Sequence, residues 1–136
     1  HNVRDFVEYD AAGRLTLRYT GGIGNDGRFL LHGPATWYLS DGRVQREAHY
    51  ALGRLTGTET FNGPDGVRLW TREHGADGTT VWTNYWPDGK VRTRSTWRDA
   101  HAEGPAVLHD TEGREIYRVN FTHGLPGAAS GAPGEY

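Results

Sequence analysis

The sequence predicts an all-β fold: a meander of about ten antiparallel strands in repeated hairpins. These form one strongly curved sheet, a trough or partly closed barrel. Three observations predict it. Asp41-Gly42, Asp65-Gly66, Asp88-Gly89 and Glu112-Gly113 mark turns whose glycines lie 24, 23 and 24 residues apart. An aromatic residue or His follows eight residues after each, at Tyr50, His74, Trp97 and Phe121. No window sustains a 3.6-residue apolar period, so no substantial helix is expected. Self-similarity at this period marks an array whose units pack mainly on their neighbours.

The elements follow in order. Asp-Gly between alternating segments signals a hairpin, because both residues tolerate positive φ. Strands are expected at 3–11, 14–22, 28–39, 43–50, 55–63, 67–75, 79–87, 90–98, 102–110 and 114–122. Gly53, Gly78 and Gly124 reverse the chain into the next unit, and Ala100 replaces a glycine once. The stretch from Gly21 to Gly27 carries extra length and reads as a long hairpin loop. A phosphate-cradling loop would need a helix after it, and Arg28-Phe29-Leu30-Leu31 reads as a strand. The chain is expected to be one domain over 1–136. Its repeats fall at about 4–32, 33–56, 57–79, 80–103 and 104–126, with 127–136 as a cap and loose tail.

Composition narrows the function classes. Apolar residues make up only 35% and aromatic ones 12%, which fits a thin core of large rings. A net charge of −2 gives no basic footprint for nucleic acid. Cysteine is absent, which excludes disulfides, thiolate metal sites and a cysteine nucleophile. No apolar run reaches the length of a membrane span, and no secretory signal is visible. The expected location is therefore cytoplasmic. The Arg, Gly and Ala content points to a bacterial source.

Alternation divides the strand residues between two faces. Trp37, Ala48, Tyr50, Phe61, Trp70, Arg72, His74, Trp82, Trp97 and Phe121 share the expected packing face. Trp37, Trp97 and Phe121 are expected to be buried. Gln45, Thr71, Arg94 and Arg118 fall on the opposite face and are expected to be exposed.

The seven His show no metal-binding spacing, and the three serines lie in no nucleophile elbow. No metal site and no cofactor is expected. No catalytic residue stands out; His74, Glu47 and His49 are candidates for acid–base work. Trp70, His74, Trp82, Trp97 and Arg72 are the candidate ligand-binding set. They would line a cavity if the curled sheet were hollow.

Several segments resemble the MORN-repeat family, in particular its bacterial variant, antitoxin-like repeats. Tyr50-Ala-Leu-Gly53-Arg-Leu-Thr-Gly57 and Phe121-Thr-His-Gly124-Leu-Pro-Gly127 carry the resemblance. Trp37-Tyr38-Leu39-Ser40-Asp41-Gly42 and Tyr85-Trp86-Pro87-Asp88-Gly89 supply the upstream halves. The resemblance implies a scaffold or recognition module. The leading expectation is a non-catalytic module for a protein partner, antitoxin- or immunity-like. The alternative is a small enzyme or carrier for a small apolar ligand, such as a cofactor-independent cyclase or isomerase of bacterial secondary metabolism. An oligomer is compatible with either.

Overall fold

The computed structural model describes residues 3–131. Every element is a strand. They are β1 (Arg4–Tyr9), β2 (Leu15–Ile23), β3 (Phe29–Tyr38), β4 (Val44–Ala51), β5 (Arg54–Asn62), β6 (Arg68–His74), β7 (Thr79–Tyr85), β8 (Val91–Arg98), β9 (His101–His109), β10 (Glu115–Thr122) and β11 (Leu125–Gly131). The strands form one antiparallel sheet in chain order, with β1 and β11 at its two ends. Ten strands lie where the sequence places them, to within two residues at every end. The eleventh is a correction. Leu125–Gly131 is no loose cap but a strand paired antiparallel with β10. Residues 132–136 of the expected tail, and His1, lie outside the described residues.

The chain forms two compact units, His1–Val67 and Arg68–Tyr136. The first contains β1 to β5 and the second β6 to β11.

The Asp-Gly turns close differently from the two-residue turn the sequence predicts. In Asp41-Gly42 only Gly42 has positive φ, at 89°. Leu39 N–H donates to Arg43 O, Gly42 N–H donates to Leu39 O, and the Asp41 carboxylate accepts from Arg43 N–H. The side chain of Asp holds the turn in the right-handed region, and the glycine alone takes the left-handed one. The same construction recurs at Asp65, Asp77 and Asp88. Two-residue turns with both φ positive occur instead at Leu52-Gly53, Asp99-Ala100 and His123-Gly124. Two of these are clipped to the strand before last. Gly53 N–H donates to Leu31 O and Leu52 N–H to His32 Nδ1, while Gly124 N–H donates to Ala102 O and His123 N–H to Glu103 Oε2.

The expected long loop at Gly21 to Gly27 is also corrected. β2 runs on to Ile23, and a tight turn from Gly24 to Arg28 closes the hairpin. The extra residues are absorbed as strand length with a register shift between Tyr19 and Gly21. Gly21 is buried beside Phe29; a Cβ there would lie 2.7 Å from the Phe29 ring.

Burial overturns part of the two-face expectation. The apolar core is Ala35 and Ala48, which are partners across β3 and β4. Trp37, Trp97 and Phe121 are half-buried rather than buried. Of the four residues expected to be exposed, Arg94 is exposed, Gln45 and Arg118 are intermediate, and Thr71 is only 5% exposed. Thr71 pairs with the fully buried Thr83 across β6 and β7. The alternation is right, since Thr71 and Trp70 are adjacent strand residues. The error lies in equating ring size with burial. On a single-layer face, a small side chain is easily roofed by long neighbours. Tyr85 O–H lies 3.2 Å from Thr71 Oγ1, and Arg94 Nε donates to Thr83 Oγ1. The Trp rings on the opposite face are larger than the Arg side chains that lie over them and stay part-exposed.

Candidate functional site

The second unit assembles the candidate ligand-binding residues. Trp70 and Arg72 alternate on β6 with Thr71 between them, and Arg72 pairs with Trp82 across β7. The Arg72 guanidinium lies 4.5 Å from the Trp70 ring centroid and 4.2 Å from that of Trp82. The two indoles meet edge to face, with centroids 6.0 Å apart. Cation–π contact of this kind contributes roughly 0.5–2 kcal/mol per ring, more as water is excluded. It also fixes the orientation of three long side chains at once.

Two strand residues beyond Arg72, His74 pairs with Thr80, with Nδ1 3.4 Å from the Thr80 hydroxyl. Thr80 in turn pairs with Trp97 on β8. The Trp97 ring is held by its own N–H, which donates to Ser95 Oγ at 2.9 Å. Trp82 Nε1 is shielded and makes no hydrogen bond, so stacking alone positions that ring.

Arg72, His74, Thr80, Trp82 and Trp97 line one groove of about 560 Å³, open to solvent, with Gly78, Asp99 and Ala100 at its end. Four of the five expected ligand-binding residues are thus brought together, and the fifth, Trp70, backs Arg72. Trp97 also lines a second open groove of about 510 Å³ with Ala106 and Phe121. It stands as a fin between the two. Trp70 lines a third, with Asn84, Tyr85, Arg92 and Leu108.

Thr80, Ser95 and Asn84 were missed by sequence reasoning, although their strand parity places them on the Trp face. Asp99 and Ala100 belong to a turn, and no residue type marks them. Of the acid–base candidates, only His74 lines the groove. Glu47 and His49 are exposed on β4 in the first unit. Among the described residues no three His, Asp or Glu side chains come together as a metal-holding group.

The first unit carries a different constellation. Arg46 Nη2 lies 2.6 Å from Glu59 Oε2, and its guanidinium sits 4.2 Å from the Trp37 ring centroid. Burial alone would lower the Arg46 pKa. Hydrogen bonds and charge from Glu59 and Tyr50 outweigh it and raise the guanidinium above its ordinary value. The guanidinium is therefore held in its charged form.

No family model matches the chain, and no curated protein matches it. Among the described residues no helix is long and apolar enough to cross a membrane.

Proposed function

We propose that this chain is a non-catalytic recognition module that binds a protein partner on the Trp and Arg face of its second unit. The carrying observation is the Arg72 guanidinium clasped by Trp70 and Trp82 beside an open groove. Trp, Tyr and Arg are the residues that most often dominate binding energy at protein interfaces. Side chains already locked by stacking lose little further freedom when a partner arrives. Half-exposed rings offer apolar area without the large continuous patch that promotes aggregation. The resemblance to variant MORN repeats supports the same reading, including an antitoxin- or immunity-like role in a bacterium.

The competing small-molecule reading needs an enclosed pocket that covers most of its ligand. The Trp-lined grooves are open, so an apolar molecule lying in one would keep much of its surface in water.

Peptide display separates the two. A random displayed library is selected on the chain, and the enriched peptides are titrated against the parent and against Arg72→Ala and Trp97→Ala. Binders that weaken about tenfold or more on either variant, in line with interface hot spots, support the proposal. Failure to enrich any binder, or binders indifferent to both variants, defeats it. So does a small apolar dye that raises the melting temperature and quenches Trp emission.

A further inference from the structure

We infer that β1 is a homotypic docking edge, through which two copies of this chain pair antiparallel with Phe6 facing Phe6 of the second copy. The argument begins with the two ends of the sheet. β11 is a poor template for strand addition: Pro126 lacks an N–H, and Gly127 and Gly131 weaken the strand. β1, Arg-Asp-Phe-Val-Glu-Tyr, has neither Pro nor Gly. Every one of its residues has a backbone donor and acceptor, and the alternate residues not bonded to β2 turn theirs to the open edge, while Val7 and Tyr9 are exposed.

The charges on β1 select the occupant. Arg4, Phe6 and Glu8 share one face by alternation. Phe6 on that face stacks on Tyr19, and Arg4 lies over the Phe6 ring. Arg4 and Phe6 border an open groove of about 880 Å³, so this side of the edge is uncovered. Arg4 and Glu8 are four residues apart on an extended strand, about 13 Å, and cannot reach each other. Among the described residues neither forms an ion pair. Asp5, on the other face, is already engaged by the Thr20 hydroxyl at 3.0 Å.

Exposed edges usually carry charges that repel a second strand. Here one register reverses that effect. Placing Phe6 opposite Phe6 of a second copy sets Arg4 against Glu8 at one end and Glu8 against Arg4 at the other. The two contacts are related by a two-fold axis, as a closed dimer requires. Two cross-strand ion pairs then flank an aromatic pair on one face, each a stabilising unit of an antiparallel ladder. A slip by one residue moves Phe6 to the opposite side of the pleat from its counterpart and separates the charges. A five-residue edge contact is small beside a stable interface of roughly 1,200–2,000 Å². The dimer is therefore weak, salt-sensitive and dependent on concentration.

Sedimentation of the 136-residue chain over a concentration series tests this. The expected result is a mass rising from 15.1 kDa towards twice that value below about 1 mM, the regime of small transient contacts. Added salt should weaken the dimer as it screens the exposed pairs. Glu8→Arg and Arg4→Glu each replace two attractions with two repulsions and should weaken the dimer about tenfold or more. Both positions are exposed, and an unchanged melting temperature will show that each variant folds. Mixing the two variants restores both pairings and should give a heterodimer. A chain that stays monomeric at about 1 mM overturns the inference. So does a dimer unchanged in Glu8→Arg, or a mixture of the two variants that does not associate.

Discussion

Arg46 and Glu59 face each other from β4 and β5, and two guanidinium nitrogens converge on one carboxylate oxygen: Nε at 2.8 Å and Nη2 at 2.6 Å. Glu59 is 2% exposed, so the contact lies out of water. Removing one partner of a buried pair leaves the other charge poorly compensated. Arg46→Ala should cost about 3 kcal/mol, and denaturant titration will measure it. Glu59→Gln keeps the shape and removes the charge, so it should cost less. A chain equally stable with and without Arg46 would show that the pair contributes nothing.

Ala35 and Ala48 are 2% and 1% exposed and meet across β3 and β4. Their small size lets large neighbours close over them. Ala48→Leu adds volume where no space remains, and should cost about 1–3 kcal/mol by overpacking. A variant that melts with the parent would mean that this part of the sheet gives way freely.

Ala100 occupies a left-handed turn position, with φ of 67° after Asp99 at 50°. A Cβ is costly there and a glycine is not. Ala100→Gly should therefore raise stability by about 0.5–1 kcal/mol, despite the greater freedom it gives the unfolded chain. Thermal melting checks the sign. A loss of stability would show that the Ala100 methyl does more in the neighbouring grooves than it costs in the turn.

Acid should unfold the protein through its turns. The carboxyls of Asp10, Asp26, Asp77 and Asp110 lie below their ordinary value of 3.8. In each the leading cause is a backbone N–H: of Arg14, Arg28, Thr79 and Arg114 respectively. Glu115 lies below 4.5, chiefly through its hydrogen bonds from Arg118. A carboxyl lowered in the folded state contributes its full stability above its unfolded pKa. That contribution is lost as pH falls through the folded pKa. The melting temperature should hold between pH 7 and about 5 and drop below about 4. Asp10→Asn with Asp110→Asn keeps an acceptor in each turn and removes the titration, so the drop should become shallower. An unchanged slope would place the acid sensitivity elsewhere.

The strands, their antiparallel order and their alternation were legible in the sequence. Each rests on local chemistry that repeats: Asp and Gly hold a turn, and polar and large residues alternate between turns. The turn class was not legible. Asp41-Gly42 is compatible with two turn geometries, and the choice follows from the Asp41 side chain accepting Arg43 N–H. The strand at Leu125–Gly131 was hidden because Leu-Pro-Gly-Ala-Ala-Ser-Gly has almost no strand preference. It pairs because β10 offers it a free edge.

For the candidate site, the sequence by itself determined which residues share a face. Side chains on a strand point alternately, whatever surrounds them. Trp70, Arg72, His74 and Trp82 were therefore grouped correctly. Only the tertiary structure decided which face is buried and what the rings do. Burial depends on what lies above a residue, and that comes from other strands. Tyr85 and Arg94 roof Thr71 and Thr83, while Trp70 and Trp82 close on Arg72 instead of filling a core. The same aromatic residues that read as a hydrophobic interior are, in three dimensions, a half-open surface held rigid by a cation.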